Sequence, residues 1–283
     1  MDERMNQKSP EQKRIELEAY LLKYDGPDRV VSSIEMAEIF KNRPPLPKHK
    51  TGIFSLDQAI DGFEAGEVIV ISGPTGHGKT LLCDAIMTNL RKESKFSLFF
   101  TFEVSPQKVI LNHNTPDSVI FLPLEHKPMN VEWLRFRCLE AKLRYGCQAI
   151  FVDHLHYVVD LMTMHNMSLE IGGCMRKLKQ LAIELNMPIF IVCHIGKIQL
   201  GKDLSLDSIR DSSFVGQEAD TVLMVNRRFD KDALGKNLET LSQGLAQVKV
   251  EKARRTGNLG VKIKVKKQGN GLVESYGEVE TKK

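Results

Sequence analysis

The segment Gly73-Pro74-Thr75-Gly76-His77-Gly78-Lys79-Thr80 follows the aliphatic run EVIVIS at 67–72 and leads into a helical pattern over about 79–91. No other stretch constrains the chain so tightly. The spacing G-x-x-x-x-G-K-T lets consecutive backbone N–H groups converge on phosphate oxygens without side-chain obstruction. Lys79 supplies a cation for the β and γ phosphates, and the Thr80 hydroxyl is a ligand for Mg²⁺. The helix beginning near Lys79 adds the positive end of its dipole. A strand before the loop and a helix after it separate this motif from a chance glycine-rich turn. Residues 73–80 therefore read as a nucleoside triphosphate site.

The surrounding pattern agrees with such a loop. Apolar, β-prone runs occur at 67–72, 97–102 (SLFFTF), 118–122 (SVIFL), 148–152 (QAIFV), 188–193 (PIFIVC) and 221–225 (TVLMV). Helical stretches intervene at about 79–91, 105–113, 131–145 and 168–186. Strands apolar on both faces and separated by helices predict a mostly parallel sheet covered on both sides, an α/β fold. Near the C-terminus, AQVKVEKARR and GVKIKVKK alternate basic and aliphatic residues around TGNLG, which predicts a half-exposed antiparallel hairpin. Upstream, residues 1–24 read as a helix stopped by Asp25-Gly26-Pro27-Asp28, and a shorter helix runs from about Ser32 or Ser33 to Phe40. The three prolines of NRPPLPKHKTG cannot continue a helix. They place a boundary near residue 45, giving a helical segment 1–45 and a main domain 46–283.

Three strand ends carry polar residues next to the loop. Asp153 closes QAIFVD, at the sheet end where open α/β folds bind ligands, and is the candidate second Mg²⁺ group. Glu103 follows SLFFTF just before Ser105-Pro106. From spacing alone it either polarises the attacking water or favours the next helix N-terminus. His194, after PIFIVC, either senses the γ-phosphate or merely ends its strand. His154 and His156, with Cys147, Cys193 and His194, match no common zinc spacing and are read as surroundings of the nucleotide site. Met162, Met164 and Met167 read as a loop ahead of the helix at 168–186.

Composition sets outer limits. Across 283 residues, 42% hydrophobic and 27% charged, nothing suggests wholesale disorder or a fibrous repeat. No apolar run approaches the roughly 20 residues that span a bilayer, and the charged N-terminus lacks a secretory h-region, so a cytoplasmic, non-membrane protein is expected. Five scattered cysteines form no CxxC pair and suggest buried free thiols. The net charge of +4 is small, but Lys249–Lys267 hold eight basic residues against the single acid Glu251.

The ordered set TGIFSLDQAIDGFEAGEVIVISGPTGHGKT, FFTFEVS, AIFVDHLHYV, FIVCHIGK, LDSIRDSSFVGQEADTVLMV and VEKARRTGNLG resembles the ATPase domain of DnaB-type replicative hexameric helicases over about residues 50–266. The resemblance implies a RecA-like fold, ATP and Mg²⁺ as cofactors, and a ring-shaped homohexamer acting on single-stranded DNA, with 5′–3′ polarity. A primase or a helicase loader is the implied protein partner. The family's catalytic glutamate falls on Glu103, its Mg²⁺-organising Asp on Asp153, and its polar sensor, usually Gln, on His194. Its Lys-x-Arg pair, which reaches the neighbouring subunit's γ-phosphate, falls on Lys252 and Arg254. Arg210 and Asp211 would line the DNA channel. Ser213 and Gly216 depart from the family's Gly and Glu in that loop. The family's N-terminal helical domain has only residues 1–45 in its place, matching a linker helix at best, as in a minimal or viral form. A non-translocating RecA-, RadA- or KaiC-like ATPase is the alternative.

Overall fold

A computed structural model describes residues 9–111, 113, 115, 118–125, 127, 131–158, 167–195, 205–209, 212–227, 229–231, 237–239, 244–269 and 271–275. The chain divides into two units, Met1–Pro45 and Leu46–Lys283. The first holds α1 (Pro10–Leu21) and α2 (Ser33–Phe40). Ser9 and Gln12 form a reciprocal capping box at the start of α1, with Pro10 in the first turn, where its missing N–H costs nothing. The helix ends at Leu21, three residues before the expected 24, where Lys23 and Tyr24 N–H turn back to the carbonyls of Tyr20 and Leu21 in tighter turns ahead of Asp25-Gly26-Pro27. Ser32 caps α2 through the backbone N–H of Glu35.

The second unit runs β1 (Lys48–His49), α3 (Phe54–Ile60), β2 (Phe63–Glu64), β3 (Val68–Gly73), α4 (Lys79–Lys92), β4 (Phe96–Thr101), α5 (Pro106–Ile110), α6 (Val131–Tyr145) and β5 (Cys147–Asp153). It continues with α7 (Met167–Leu185), β6 (Ile189–His194), α8 (Ser212–Glu218), β7 (Thr221–Arg227), β8 (Phe229–Lys231), β9 (Asn237–Glu239), β10 (Leu245–Ala253), β11 (Lys262–Gln268) and β12 (Gly271–Glu274). One eight-stranded sheet is ordered β12-β11-β10-β7-β3-β6-β5-β4. Strands β3 to β7 are mutually parallel, and β10, β11 and β12 extend the sheet antiparallel. This is the RecA-like α/β architecture with a C-terminal antiparallel addition.

Alternation along each strand sends side chains to opposite faces. Val68 and Val70 join the core beneath α6 and α7, with Leu134, Cys138, Met175 and Leu178. Ile69 and Ile71 join the other, beneath α3 and α4, with Leu56, Leu82 and Ile86. All five cysteines are buried free thiols. Among the described residues no helix is long and apolar enough to cross a membrane.

The expected strand at 118–122 reduces to one parallel bridge, Leu98 to Phe121. Phe121 donates to the Ser97 carbonyl and accepts from Phe99 N–H, and Pro123 then removes the next suitable donor. The helix expected over 105–113 shortens to α5, and His113 instead turns its ring toward Asp84 on α4, 3.3 Å away. Helix α3 and strand β12 are too short for periodicity to reveal. Met162 and Met164 lie outside the described residues, and Met167 opens α7.

The basic C-terminal stretch is not simply a solvated face. Arg255 is only 24% exposed in its side chain. It pairs with Asp61 at 2.7 Å and Glu67 at 3.2 Å, and donates to the carbonyls of Ile60, Asp61 and Gly62. One planar guanidinium thus clamps the β10–β11 turn to the α3–β2 connection. Arg255→Ala should lower folding stability by about 2–3 kcal/mol in urea titration, because several acceptors lose their donor together. Arg255→Lys should recover less than half of that loss, since an ammonium cannot reproduce the fork.

Candidate functional site

The phosphate loop is shaped by two backbone constraints. Gly73 leaves β3 at φ 146°, and a Cβ there would lie 2.1 Å from the Val225 carbonyl oxygen of neighbouring β7, so no side chain fits. Gly78 opens α4 at φ 103°, in the left-handed region that glycine tolerates. Between them, the His77 ring is anchored to β7. Its Nδ1 lies 2.9 Å from Asn226 Oδ1 and 3.2 Å from the Arg227 backbone nitrogen. Sequence reasoning missed Asn226, which has no motif of its own.

The predicted catalytic groups converge at this end of the sheet. The Lys79 ammonium is buried and donates to the carbonyls of Gly73 at 3.0 Å and Pro74 at 3.1 Å. Burial lowers its pKa, opposed by the nearby charges of Asp153 and Glu103. The Thr80 hydroxyl donates to Asp153 Oδ2 at 3.0 Å. Asp153 is 2% exposed, and its Oδ1 finds no hydrogen-bond partner among the described residues. Burial raises its pKa to about 6, moderated by Thr80 and reinforced by Glu103. A buried carboxylate oxygen lacking a donor beside a threonine hydroxyl is an oxygen-ligand arrangement suited to Mg²⁺.

Glu103 lies two residues beyond β4 and is 42% exposed in its side chain. One of its oxygens is 3.8 Å from His194 Nε2, and His194 pairs in register with Gly73 across β6 and β3. His154 follows Asp153 directly, and its ring meets that of His194 edge-on, with centroids 4.2 Å apart. Burial, with the neighbouring His194 and His156, lowers the His154 pKa to about 3. Cys147 sits at the opposite end of β5 from Asp153, so it is not part of this group. Arg210 and Asp211 lie outside the described residues.

Lys252 and Arg254 are placed elsewhere. Lys252 Nζ donates to the carbonyls of Gly216 at 2.7 Å and Gln217 at 3.0 Å, at the C-terminal end of α8. Arg254 donates to Gln217 and pairs with Asp220 at 3.2 Å, leaving its side chain 54% exposed. Asp220 in turn accepts from Val68 N–H, at the start of β3. The phosphate loop begins after Gly73, so the two cations lie a strand length away, roughly 16 Å by strand rise.

The DnaB-like helicase C terminal domain family matches residues 114–272, more than half of the chain. The chain belongs to that family. A KaiC-type ATPase family matches residues 49–118, which include the phosphate loop. The replicative DNA helicase DnaB of Mycoplasma pneumoniae is 24% identical over 248 residues, covering 73% of this chain and 52% of that protein. DnaB of Treponema pallidum is 27% identical over 237 residues, covering 73% and 53%. The chain thus spans about half the length of the curated relatives it matches. Among solved structures, a DnaB-like replicative helicase, solved for its interactions with primase, aligns with a TM-score of 0.67 at 16% identity, covering 93% of this chain and 70% of that one. A second solved chain, an ATPase domain, aligns at 0.70 and 16% identity, covering 87% of this chain and all of that one. At such identity both establish the shared fold.

The buried Asp153 carboxyl has a measurable consequence in this DnaB-like domain. Its pKa is about 6 folded, against 3.8 for the ordinary side chain, so between those values the folded state binds more protons than the unfolded. The stability contributed by this group is therefore present below about pH 4 and lost as pH rises through about 6. In nucleotide-free, Mg²⁺-free protein, Asp153→Asn should gain stability relative to wild type as pH rises from 4 to 7, by up to about 3 kcal/mol. Urea titrations of both proteins across that range check this.

Proposed function

We propose that the chain is the ATP-hydrolysing motor of a replicative DNA helicase, working as a ring-shaped homohexamer that moves 5′–3′ on single-stranded DNA and unwinds duplex. The observation that carries this reading is the opposition of two half-sites. The phosphate loop, Asp153 and Glu103 lie at one end of the parallel sheet, while Lys252 and Arg254 lie at the other. A cation about a strand length from its own loop is out of reach of that loop's nucleotide, so in this reading it serves the nucleotide of a neighbouring copy. Activity then requires an assembly.

In this reading the backbone N–H groups of residues 73–80 cradle the phosphates and Lys79 neutralises the β and γ charge. Thr80 and Asp153 would hold Mg²⁺, which when bound would supply charge neutralisation toward the phosphates. Glu103 accepts the proton of the attacking water as the new oxygen–phosphorus bond forms and the bond to the β-phosphate oxygen breaks. His194 hydrogen-bonds the γ-phosphate, and Lys252 and Arg254 of the adjacent subunit stabilise the charge that develops there. Arg210 and Asp211 contact DNA in the channel, where binding is sequence-tolerant and weakens steeply with salt as counterions are released. A primase or loader is the class of protein partner, and the cytoplasm, or a host's cytoplasm for a viral protein, is the place of action. Residues 1–45 form a helical segment distinct from the ATPase domain of 46–283.

The KaiC-type match over residues 49–118 favours a second reading, a non-translocating DNA-stimulated ATPase. Strand separation of a forked duplex distinguishes them: the motor separates strands when ATP is supplied, whereas the alternative shows only stimulated hydrolysis.

Lys79→Ala should abolish hydrolysis, and Glu103→Gln should bind ATP while losing most turnover. Arg254→Ala should bind nucleotide yet lose roughly 10³-fold or more in DNA-stimulated hydrolysis. Mixing Arg254→Ala with Lys79→Ala subunits should restore part of that activity, because some interfaces regain both halves. No recovery in mixed assemblies verified by native mass measurement, or full activity from an isolated monomer, refutes catalysis between subunits.

A further inference from the structure

Three metal-ligating side chains converge beside the Thr80–Asp153 pair without belonging to it. Glu103, His154 and His194 each offer one ligand atom, and the three atoms lie within 4.8 Å of one another. They stem from three adjacent strands of the sheet. Glu103 follows β4, His154 follows β5 and His194 ends β6. His154 is 8% exposed, and its Nδ1 is buried with no hydrogen-bond partner among the described residues. A buried nitrogen left in that state costs about 1–3 kcal/mol, which a cation taking its lone pair would offset.

We propose that Glu103, His154 and His194 form a transition-metal site with the two-imidazole, one-carboxylate ligand set of a zinc centre, separate from the Mg²⁺ position at Thr80 and Asp153. Imidazole nitrogens suit Zn²⁺, whereas Mg²⁺ takes oxygen ligands and keeps its waters. Ligand atoms around tetrahedral Zn²⁺, at bond lengths of about 2.0–2.2 Å, lie roughly 3.3 Å apart. Bringing the present atoms to that spacing needs a closure of about 1.5 Å. Glu103 is exposed and stands on a short loop, so its side chain can supply most of that movement. The same exposure leaves a fourth coordination position open to water.

Metal held at this site engages the Glu103 carboxylate, which then cannot accept a proton, so the loaded protein is restrained from hydrolysis. That consequence rests on the reading of Glu103 as the general base. The site itself does not.

The test uses Co²⁺ as a spectroscopic probe on the full chain without nucleotide. Wild-type protein should take up one equivalent with the intense visible absorption of a tetrahedral site, and Zn²⁺ should displace it. Glu103→Gln and His194→Gln, both outside the buried core, should each weaken Co²⁺ binding by at least the roughly 10–100-fold that loss of a second-shell partner costs. His154→Ala should do the same, and Asp153→Asn should retain the band. Absence of a tetrahedral band, or unchanged affinity in Glu103→Gln and His194→Gln, overturns the site. A band lost in Asp153→Asn but kept in the histidine variants moves the metal to the Mg²⁺ position and equally overturns it. Without nucleotide in the assay, failure of metal binding leaves the ATPase reading intact, and a chain that binds Co²⁺ but, once stripped of it and given ATP and Mg²⁺, hydrolyses nothing refutes only that reading.

Discussion

Strand β3 occupies the middle of the sheet, paired in parallel to β6 on one side and β7 on the other. Everything at the site is measured from its C-terminal end. The contact between Gly73 and the Val225 carbonyl holds the chain so close to β7 that a Cβ cannot be accommodated, and the loop must turn there. The same closeness brings His77 within reach of Asn226 and Arg227. The loop is therefore braced by a strand that carries no motif. Because β5 and β6 run parallel to β3, their C-terminal ends rise beside the loop and deliver Asp153 and His194 to it.

The site holds its charges under strain of solvation rather than of geometry. Lys79 and Asp153 are both buried, and burial pushes each toward its neutral form. Such groups persist where a ligand stabilises the ionised states, and a phosphate chain with its cation is the complement that the pair lacks on its own. This is the expected trade between stability and function at a site built to receive strong charge.

The opposite end of β3 has its own centre of charge. Asp220 accepts from Val68 N–H and from Lys179, and pairs with Arg254. Lys252 joins the same region through the last carbonyls of α8. The half-exposed guanidinium of Arg254 is held at the surface with one flank occupied and the other open. Under the proposed mechanism this is the posture needed to meet a neighbour's nucleotide.

Local sequence determined what depends on short-range chemistry. The phosphate loop, its flanking strand and helix, the fully buried parallel strands and the alternating β10–β11 pair were all legible, because each has a period or a spacing that one segment carries alone. The family followed from motifs in order. Tertiary structure decided the rest. Phe121 makes a bridge and not a strand, since β4 offers it only two hydrogen bonds before Pro123 intervenes. Arg255 serves as a clamp rather than a surface cation, because the α3–β2 carbonyls that receive it lie almost two hundred residues earlier in the chain. His154 and His194 meet over Glu103 because β4, β5 and β6 stand side by side, an adjacency that no residue spacing encodes. Spacing reports what a segment can do, whereas the convergence of side chains distant in sequence is set by strand order, which the packing of the whole sheet selects.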